Sequence, residues 1–295
     1  MRDFLNEIDK RIVVLDGAMG TELGRRGMPA GYCHELWNVE QPETVREIHR
    51  SYIQAGSDAV LTNTFGGSRL KLAAYDLTDK AYELNLRATE IARLEAGDDH
   101  FVLGDIGPTG LFMEPLGTTS RGEFQEAFAE QVAAFVEGGA DAVIVQTMSA
   151  VEEAAAAVRA AKQTSSLPVV GLMGFKRDAD GERFHSVMGV DIERAVNELS
   201  EAGADVVGTN CWNPLGEICE IIRRMKRLTQ KPLAAEPNAG QPKLVDGKTV
   251  FDESPEKMAD GVEELVAAGA RIIGGCCGTT PEHIRLMVSR IRQLE

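Results

Sequence analysis

Three cysteines at the ends of apolar segments are the residues of this sequence best suited to chemistry. Cys276 and Cys277 are adjacent, lie among glycines and follow an apolar segment, and Cys211 ends another, residues 206–211. Adjacent cysteines seldom form a disulfide with each other, because its geometry strains the intervening trans peptide. Three thiolates can instead hold a zinc ion and leave its fourth coordination position for a substrate. We therefore predict that Cys211, Cys276 and Cys277 are zinc ligands and form the catalytic centre.

A zinc ion held by three thiolates favours sulfur chemistry. Such a centre carries a net negative charge and is poorly suited to making hydroxide from water. A thiol that binds as the fourth ligand loses its proton at neutral pH, because coordination lowers the pKa of the thiol. The electron-rich ligands should keep that sulfur nucleophilic. The residues therefore indicate transfer of an alkyl group to or from the sulfur of a small-molecule thiol.

The two other cysteines are expected to take no part in this chemistry. Cys219 falls on the apolar face of a predicted helix, where a buried thiol packs as a small apolar group. Cys33 is next to His34, but adjacency in sequence does not create catalytic geometry. We expect Cys33 to lie in a loop at the rim of the fold.

Composition limits the partners and the location of the protein. The chain has 295 residues, with Asp+Glu 46 against Lys+Arg 31 and a net charge of −15. This charge disfavours nucleic acid and anionic membrane surfaces as partners. No apolar run approaches the ~18 residues of a membrane span, and the first residues are too charged for a signal peptide. We predict a cytoplasmic protein with no membrane or nucleic-acid partner.

Eight apolar, strand-like segments alternate with eight helical patterns along the chain. Four helix-to-strand junctions share a sequence motif, in which a glycine ends the helix and a short turn leads into a continuously apolar strand. The four glycines are Gly56, Gly139, Gly203 and Gly269. Continuously apolar strands are typical of parallel sheets buried on both faces. The predicted strands are residues 11–16, 58–64, 101–107, 141–147, 168–173, 206–211, 232–236 and 271–273, and the helices are residues 42–56, 79–95, 123–137, 151–162, 192–202, 215–228, 255–268 and 281–291.

Eight such units predict an α/β protein with the (β/α)₈ TIM-barrel fold. The length exceeds the usual ~250 residues of this fold only modestly. An open doubly wound sheet is the alternative, but the glycines after Asp16 lack the G-x-G-x-x-G spacing that such a sheet would use to bind phosphate. No linker or low-complexity tract divides the chain. We therefore predict one barrel domain over residues 1–295.

A barrel of this kind would gather the polar residues that end its strands around one mouth. Cys211 would end the sixth strand and the cysteine pair would end the eighth, so all three sulfurs could meet one ion. A regular strand would point Cys276 and Cys277 to opposite sides, so we expect the backbone to bend or bulge there, as the surrounding glycines permit. The other polar strand ends are Asp16, Asn63, Asp105, Gln146, Asn210, Glu236 and Asn238.

The sequence resembles the homocysteine S-methyltransferases, a family that includes the homocysteine-binding domain of cobalamin-dependent methionine synthase and the betaine–homocysteine methyltransferases. The resemblance covers essentially the whole chain and rests on Asp16–Thr21, Glu35–Asn38, Thr62–Gly67, Gly107–Gly110, Asn210–Cys211, Pro237–Gly240 and Gly274–Ile284. It implies a barrel with Cys211, Cys276 and Cys277 as zinc ligands. It also implies that Asp16 faces the substrate amino group and that backbone amides around Gly17, Ala18 and Met19 bind its carboxylate. We also assign Gln146, Glu236 and Asn238 to substrate binding.

Gln146 departs from the pattern of this family. Members that use homocysteine typically have Glu-Thr at the end of the fourth strand, where the glutamate helps to hold the substrate ammonium group; here the pair is Gln146-Thr147. Glutamine accepts a hydrogen bond but supplies no charge. From the sequence alone, homocysteine binding should weaken by about 1–3 kcal/mol relative to a glutamate, or the thiol is a different one.

Three hypotheses for function follow. The first is a zinc-dependent S-methyltransferase that methylates the zinc-bound thiolate of homocysteine or a related thiol, with a methylcorrinoid protein, betaine or S-methylmethionine as donor. The second is the reverse reaction, in which a methyl thioether is demethylated onto a separate corrinoid protein. The third is a non-catalytic zinc-binding subunit, which would need a fourth protein ligand to close the site.

Overall fold

The computed structural model describes residues 3–245 and 248–295. The strands of this part of the chain are β1 Val13–Val14, β2 Ala59–Leu61, β3 Phe101–Ile106, β4 Ala142–Met148, β5 Val169–Met173, β6 Lys176–Arg177, β7 Phe184–His185, β8 Val206–Pro214, β9 Leu233–Asn238, β10 Lys243–Val245, β11 Lys248–Val250 and β12 Ala270–Ile273. The α-helices are α1 Phe4–Lys10, α2 Met19–Arg25, α3 Trp37–Glu40, α4 Pro42–Gln54, α5 Arg69–Leu72, α6 Ala81–Ala96, α7 Arg121–Glu137, α8 Val151–Thr164, α9 Ile192–Ala202, α10 Leu215–Lys226, α11 Pro255–Ala268 and α12 Pro281–Leu294.

Eight parallel strands form one barrel-like sheet in the order β1-β12-β9-β8-β5-β4-β3-β2. Seven of the eight longer helices, α4 and α6 to α11, connect successive strands of this sheet, and α12 follows the last strand, which confirms the predicted (β/α)₈ TIM-barrel fold. Two antiparallel hairpins, β6–β7 and β10–β11, are inserted in the loops that follow β5 and β9. In this fold these loops surround the mouth at the carboxyl ends of the strands.

Glycine ends the helices where the sequence predicted it. Gly203 and Gly269 follow α9 and α11 with φ of 107°, a left-handed conformation that favours glycine. The opposite ends of these helices are capped by Asp191 and Ser254, whose side chains accept hydrogen bonds from the first turn. These local signals explain why the bounds of α9 and α11 coincide with the predicted ones.

The seam between β1 and β2 is joined by side chains. These two strands are the first and last in the order of the sheet. The Val14 N–H donates to the Asp58 carboxylate at 2.8 Å, and the Asp58 N–H donates to the Val14 carbonyl at 2.7 Å. Higher up the seam, the Leu61 N–H donates to Asp16 Oδ2 at 3.0 Å. Two aspartates therefore close the barrel wall.

Apolar side chains fill the barrel and close its amino-terminal end. The interior is a cluster of alternate strand residues such as Leu15, Leu103 and Ile144, all with zero exposure. Helix α1 adds Phe4 and Ile8 to this cluster, and the Phe4 and Phe101 rings meet edge-to-face with centroids 5.3 Å apart. Because this end is packed, small molecules can reach the interior only from the opposite mouth.

One buried histidine should make the fold sensitive to acid. His49 in α4 has zero exposure, neither ring nitrogen has a hydrogen-bond partner among the described residues, and burial lowers its pKa to about 4. The unfolded chain, with a pKa near 6.5, binds more protons between these values, so the free energy of unfolding falls as the pH drops from about 6.5 to about 4. In the His49→Leu variant, the fall in the free energy of unfolding over this pH range should be smaller by about 3 kcal/mol. Urea unfolding of both proteins at pH 7 and pH 4.5 measures it, and equal losses would contradict the assignment.

No helix in the described part of the chain is long and apolar enough to cross a membrane. The prediction of one domain over residues 1–295 includes residues 1–2 and 246–247, which lie outside the described residues. The division into domains stays a prediction.

Candidate metal centre and substrate cavity

The three predicted cysteines meet at the mouth of the barrel. The Sγ atoms of Cys211, Cys276 and Cys277 all lie within 4.8 Å of one another, and Cys211 and Cys277 are 3.8 Å apart. Two sulfurs bound at 2.3 Å to one tetrahedral zinc would be separated by about 3.8 Å. The trio therefore fits a zinc ion, and the group has three members within the residues described.

An irregularity in β8 directs Cys211 toward the other cysteines. The register with β9 shifts between Asn210 and Pro214, and both Cys211 and Trp212 have φ of 58°, which is unusual for residues other than glycine. The Trp212 ring lies against Gly174, where a Cβ atom would come within 2.2 Å of the ring. Lys176 Nζ is 4.3 Å from the centroid of the same ring. Packing of the indole supports the bulge that positions Cys211.

The cysteine pair lies in a loop and not at the end of a regular strand. Strand β12 ends at Ile273, and α12 begins at Pro281. The Cys276 N–H donates to the Pro237 carbonyl at 2.8 Å, and Thr279 Oγ1 donates to the Cys276 carbonyl at 2.7 Å. The backbone therefore bends at the cysteine pair because the chain has already left the sheet there. The bulge among the cysteine-bearing segments is in β8, at Cys211.

The three sulfurs are electrostatically coupled and have polar neighbours. Hydrogen bonds from the Cys276 and Cys277 thiols lower the pKa of Cys211, and its bond with Cys211 raises the pKa of Cys276. The Asn238 side chain also lowers the pKa of Cys211, and Asn210 Nδ2 lies 3.9 Å from Cys276 Sγ. Neighbours of this kind orient metal ligands and stabilise the charge on sulfur.

A cavity of about 370 Å³ extends from the cysteines into the mouth. The predicted residues that line it are Asp16, Gly17, Ala18, Met19, Gln146, Glu236 and the three cysteines. Asn238, also predicted to bind substrate, is buried beside Cys211. The structure therefore brings the predicted residues to one place, and Asn238 contacts the candidate metal ligand itself.

The turn after β1 forms one wall of this cavity. A Cβ atom at Gly17 would come within 2.7 Å of Thr279 Oγ1 and 2.9 Å of the Tyr52 ring, so only glycine fits. The Ala18 N–H donates to Thr279 Oγ1 at 3.0 Å. Met19 begins α2, and the first N–H groups of a helix have no partner within it.

Three carboxyl groups line the cavity, and burial raises the pKa of each. The pKa values of Asp16 and Glu236 rise well above their ordinary values, and that of Asp105 rises to about 8. Burial is the main cause for all three, and the charges of Asp105 and Asp16 raise the pKa of Glu236 further. The lining contains no Lys or Arg side chain among the residues described. The cavity is therefore suited to a ligand that carries a cationic group.

Sequence reasoning assigned no role to His34, which also lines the cavity. His34 lies in the loop before α3. Hydrogen bonds of neighbouring residues hold this loop against the segment that follows β2. The Glu35 Oε1 atom accepts from the Gly66 N–H at 2.7 Å, and Asn63 Nδ2 donates to Asn38 Oδ1 at 3.0 Å and to the His34 carbonyl at 2.8 Å. The motif Glu35–Asn38 gave the signal, since its polar residues hold His34 at the rim.

The remaining cysteines are away from the trio. Cys219 is fully buried in α10, as predicted. Cys33 is buried next to the 34–36 turn, and its thiol donates to Glu35 Oε2 at 3.2 Å. Burial and the neighbouring Glu35 charge raise the pKa of Cys33 to about 12. Neither cysteine is a candidate nucleophile.

The fold and site define a class of protein: a parallel (β/α)₈ barrel that presents three cysteine sulfurs, able to hold a thiophilic metal, to a carboxyl-lined cavity at its mouth. Residues 13–291 match the family described as homocysteine S-methyltransferase. The chain belongs to this family and is a methyltransferase.

Individual relatives agree with this membership. The chain is 32% identical over 308 residues to methionine synthase from Mycobacterium tuberculosis (strain ATCC 25618 / H37Rv), covering 99% of the chain and 26% of that protein. It is 33% identical over 304 residues to methionine synthase from Mycobacterium leprae (strain TN), covering 98% of the chain and 25% of that protein. The chain thus spans about a quarter of the length of these relatives.

A solved structure extends the comparison to the whole fold. The metallated form of the homocysteine methyltransferase MmuM from Escherichia coli superposes with a TM-score of 0.77 at 28% identity, covering 96% of this chain and 98% of that one. A methyltransferase from Methanosarcina mazei superposes with a TM-score of 0.61 at 12% identity, which shows the shared fold alone.

Proposed function

We propose that this protein is a zinc-dependent S-methyltransferase that methylates the sulfur of homocysteine. The observation that carries the proposal is the meeting of three cysteine sulfurs, spaced for one zinc ion, at the wall of a carboxyl-lined cavity. Zinc, when bound by Cys211, Cys276 and Cys277, would supply a fourth coordination position at which a thiol loses its proton at neutral pH. Family membership supports homocysteine as that thiol.

The residues of the cavity would hold the amino-acid portion of the substrate. Asp16 faces the cavity and is proposed to bind the ammonium group, and the amides around Gly17, Ala18 and Met19 are proposed to bind the carboxylate. Glu236 and Gln146 are proposed as further polar contacts, and Asn238 would act on the substrate through Cys211. Burial of these groups would exclude water from the reacting sulfur.

The reaction converts a thiol into a methyl thioether. The substrate thiol loses its proton to solvent, and its sulfur then forms a bond to the methyl carbon. The bond between that carbon and the donor breaks, and its electron pair leaves with the donor. An in-line approach needs open space on the mouth side of the three cysteines, where the cavity lies.

Exposed apolar side chains at the mouth support a protein as the methyl donor. Phe112 and Leu116, in the loop after β3, are 53% and 75% exposed, and Leu244 in the hairpin after β9 is 77% exposed. Such side chains around a mouth suit contact with another protein surface. A methylcorrinoid protein is therefore the methyl donor that we favour, ahead of betaine and S-methylmethionine. We also propose that the reaction takes place in the cytoplasm.

The proposal predicts zinc-dependent formation of methionine. Zinc-loaded protein incubated with L-homocysteine and, separately, methylcobalamin, betaine or S-methylmethionine should yield methionine, measured by mass spectrometry, with at least one donor. Treatment with a chelator should abolish the product, and added zinc should restore it. Stoichiometric zinc binding without product from any of the three donors would contradict the proposal.

A further inference from the structure

The three carboxyl groups of the cavity differ in how their oxygens are used. Asp16 Oδ2 is occupied by the Leu61 N–H at 3.0 Å. Asp105 Oδ1 and Glu236 Oε1 are both fully buried and have no hydrogen-bond partner among the described residues. Because a buried, unpartnered carboxyl oxygen is costly, these two atoms indicate that a ligand group completes them.

The backbone of Asp105 is fixed on both sides by threonines that follow β2. The Asp105 N–H donates to Thr62 Oγ1 at 3.0 Å, and Thr64 Oγ1 donates to the Asp105 carbonyl at 2.7 Å. The two threonine hydroxyls also hydrogen-bond each other at 2.6 Å. The Asp105 side chain therefore extends from an anchored backbone to the lining of the cavity, where it is 5% exposed.

Gln146 and Asp105 both line the cavity; burial raises the pKa of Asp105, and the Gln146 side chain opposes that rise. Asn210 Nδ2 donates to Gln146 Oε1 at 2.9 Å, so the Gln146 oxygen is already used. The amide NH₂ group of Gln146 is thus the part left to donate to Asp105. A glutamate at this position would have no proton to donate when ionised and would repel the Asp105 charge.

The surroundings of the three carboxyl groups also differ. Burial raises the pKa of all three, that of Asp105 to about 8 and those of Asp16 and Glu236 well above their ordinary values. For Asp105, burial and the Glu35 charge raise the pKa, and the Gln146 side chain opposes them. For Glu236, burial raises the pKa, and the charges of Asp105, Asp16 and Cys211 raise it further.

We propose that Asp105 contributes, beside Asp16, negative charge that binds the ammonium group of an α-amino-acid thiol, and that Gln146 is the positioning residue that holds the Asp105 carboxylate. The inference rests on the proposed function and identifies the substrate class as thiols bearing an amino group. Glutamine at position 146 then does not deprive the cavity of negative charge. The carboxylate is that of Asp105 on β3, and the amide that orients it is that of Gln146 on β4.

The test compares two thiols that differ in the amino group alone. L-Homocysteine and 4-sulfanylbutanoic acid are titrated into the zinc-loaded protein by calorimetry, so no methyl donor or turnover is needed. The wild-type protein should bind homocysteine at least about tenfold more tightly. Asp105→Asn, which keeps the size of the side chain, should weaken homocysteine binding by about 10- to 100-fold and change binding of the other thiol by less than about threefold.

Glu153→Gln is the matched control, since Glu153 is a buried carboxyl group outside the cavity lining and its Oε1 accepts from the Thr109 N–H at 2.8 Å, as a glutamine oxygen also could. It should preserve the preference for homocysteine. If Asp105→Asn weakens both thiols equally, or if Glu153→Gln removes the preference as Asp105→Asn does, the inference is overturned. If neither thiol binds the zinc-loaded wild-type protein, both the proposed function and this inference fail. If both thiols bind equally tightly, this inference alone fails.

A second substitution tests the pairing of positions 105 and 146. Two carboxyl groups in contact cannot both ionise readily, so Gln146→Glu should tighten homocysteine binding by less than about threefold while Asp105 is present. In the Asp105→Asn background the same change should recover most of the lost affinity. This differs from the tighter binding that the sequence alone predicts for Gln146→Glu. Failure to recover affinity in the double variant would contradict the pairing.

Discussion

Replacing Cys276 with serine is expected to abolish both metal binding and methyl transfer while leaving the barrel folded. A serine hydroxyl stays protonated at neutral pH and is a poor zinc ligand, and loss of a direct ligand should exceed the 10- to 100-fold effect of losing a supporting residue. We therefore expect zinc affinity to fall by more than about 100-fold and methionine formation to become undetectable. Zinc content after dialysis and the product assay measure these effects.

Cys33→Ser provides the matched control for this experiment. The Cys33 thiol is buried and donates to Glu35, as a serine hydroxyl also could, and it lies outside the trio. This variant should keep one zinc per chain and its activity. Since Cys276 lies beyond the end of β12, Cys276→Ser should shift the thermal midpoint by only a few degrees. Stoichiometric zinc in Cys276→Ser would contradict the assignment of the metal ligands.

Asn210→Ala is expected to reduce both stability and substrate binding. Asn210 is fully buried; its Oδ1 accepts from the Thr147 N–H at 2.8 Å, and its Nδ2 donates to Gln146 Oε1 at 2.9 Å and to Thr147 Oγ1 at 2.7 Å. Thr147 has φ of 58°, a strained conformation for a β-branched residue. Leaving these buried groups unpaired should lower the free energy of unfolding by about 3 kcal/mol.

The effect on function should appear in the KM for homocysteine, because Gln146 and Thr147 both line the cavity. Asn213→Ala, on the same strand, is the matched control: Asn213 is also buried and donates one bond, to the Phe175 carbonyl at 2.7 Å. That variant should lose about 1 kcal/mol of stability and keep its KM. Urea unfolding and steady-state kinetics measure both quantities. An unchanged KM in Asn210→Ala would refute a positioning role for Asn210.

Much of the fold could be predicted because local and global signals agree. The buried parallel strands are continuously apolar, and the glycines after α9 and α11 mark the helix ends, so eight units could be counted from the sequence. Short elements such as α3 and the hairpin β6–β7 were missed. Four-residue helices and two-residue strands contain too little periodicity to be recognised, and contacts with the rest of the fold stabilise them.

The candidate site was predictable in its members but not in its geometry. Polar residues at strand ends identified Cys211 and Asp105, since parallel strands meet at one mouth. The left-handed backbone at Cys211 and Trp212 gave no signal, because neither residue type favours it and packing on Gly174 stabilises it. The partnership of Asp105 with Gln146 was equally hidden, because residues on separate strands become neighbours only in the closed barrel.

The aspartate that closes the upper seam places two demands on one carboxyl group. Asp16 Oδ2 joins β1 to β2 through the Leu61 N–H, and the same side chain borders the space where substrate would bind. The barrel wall and the proposed recognition of substrate thus share one side chain, so truncation of Asp16 would confound the two. Asparagine separates them, because its amide oxygen can still accept from Leu61 while its charge is gone. Position 16 is therefore constrained even in a descendant that has abandoned its amino-acid substrate.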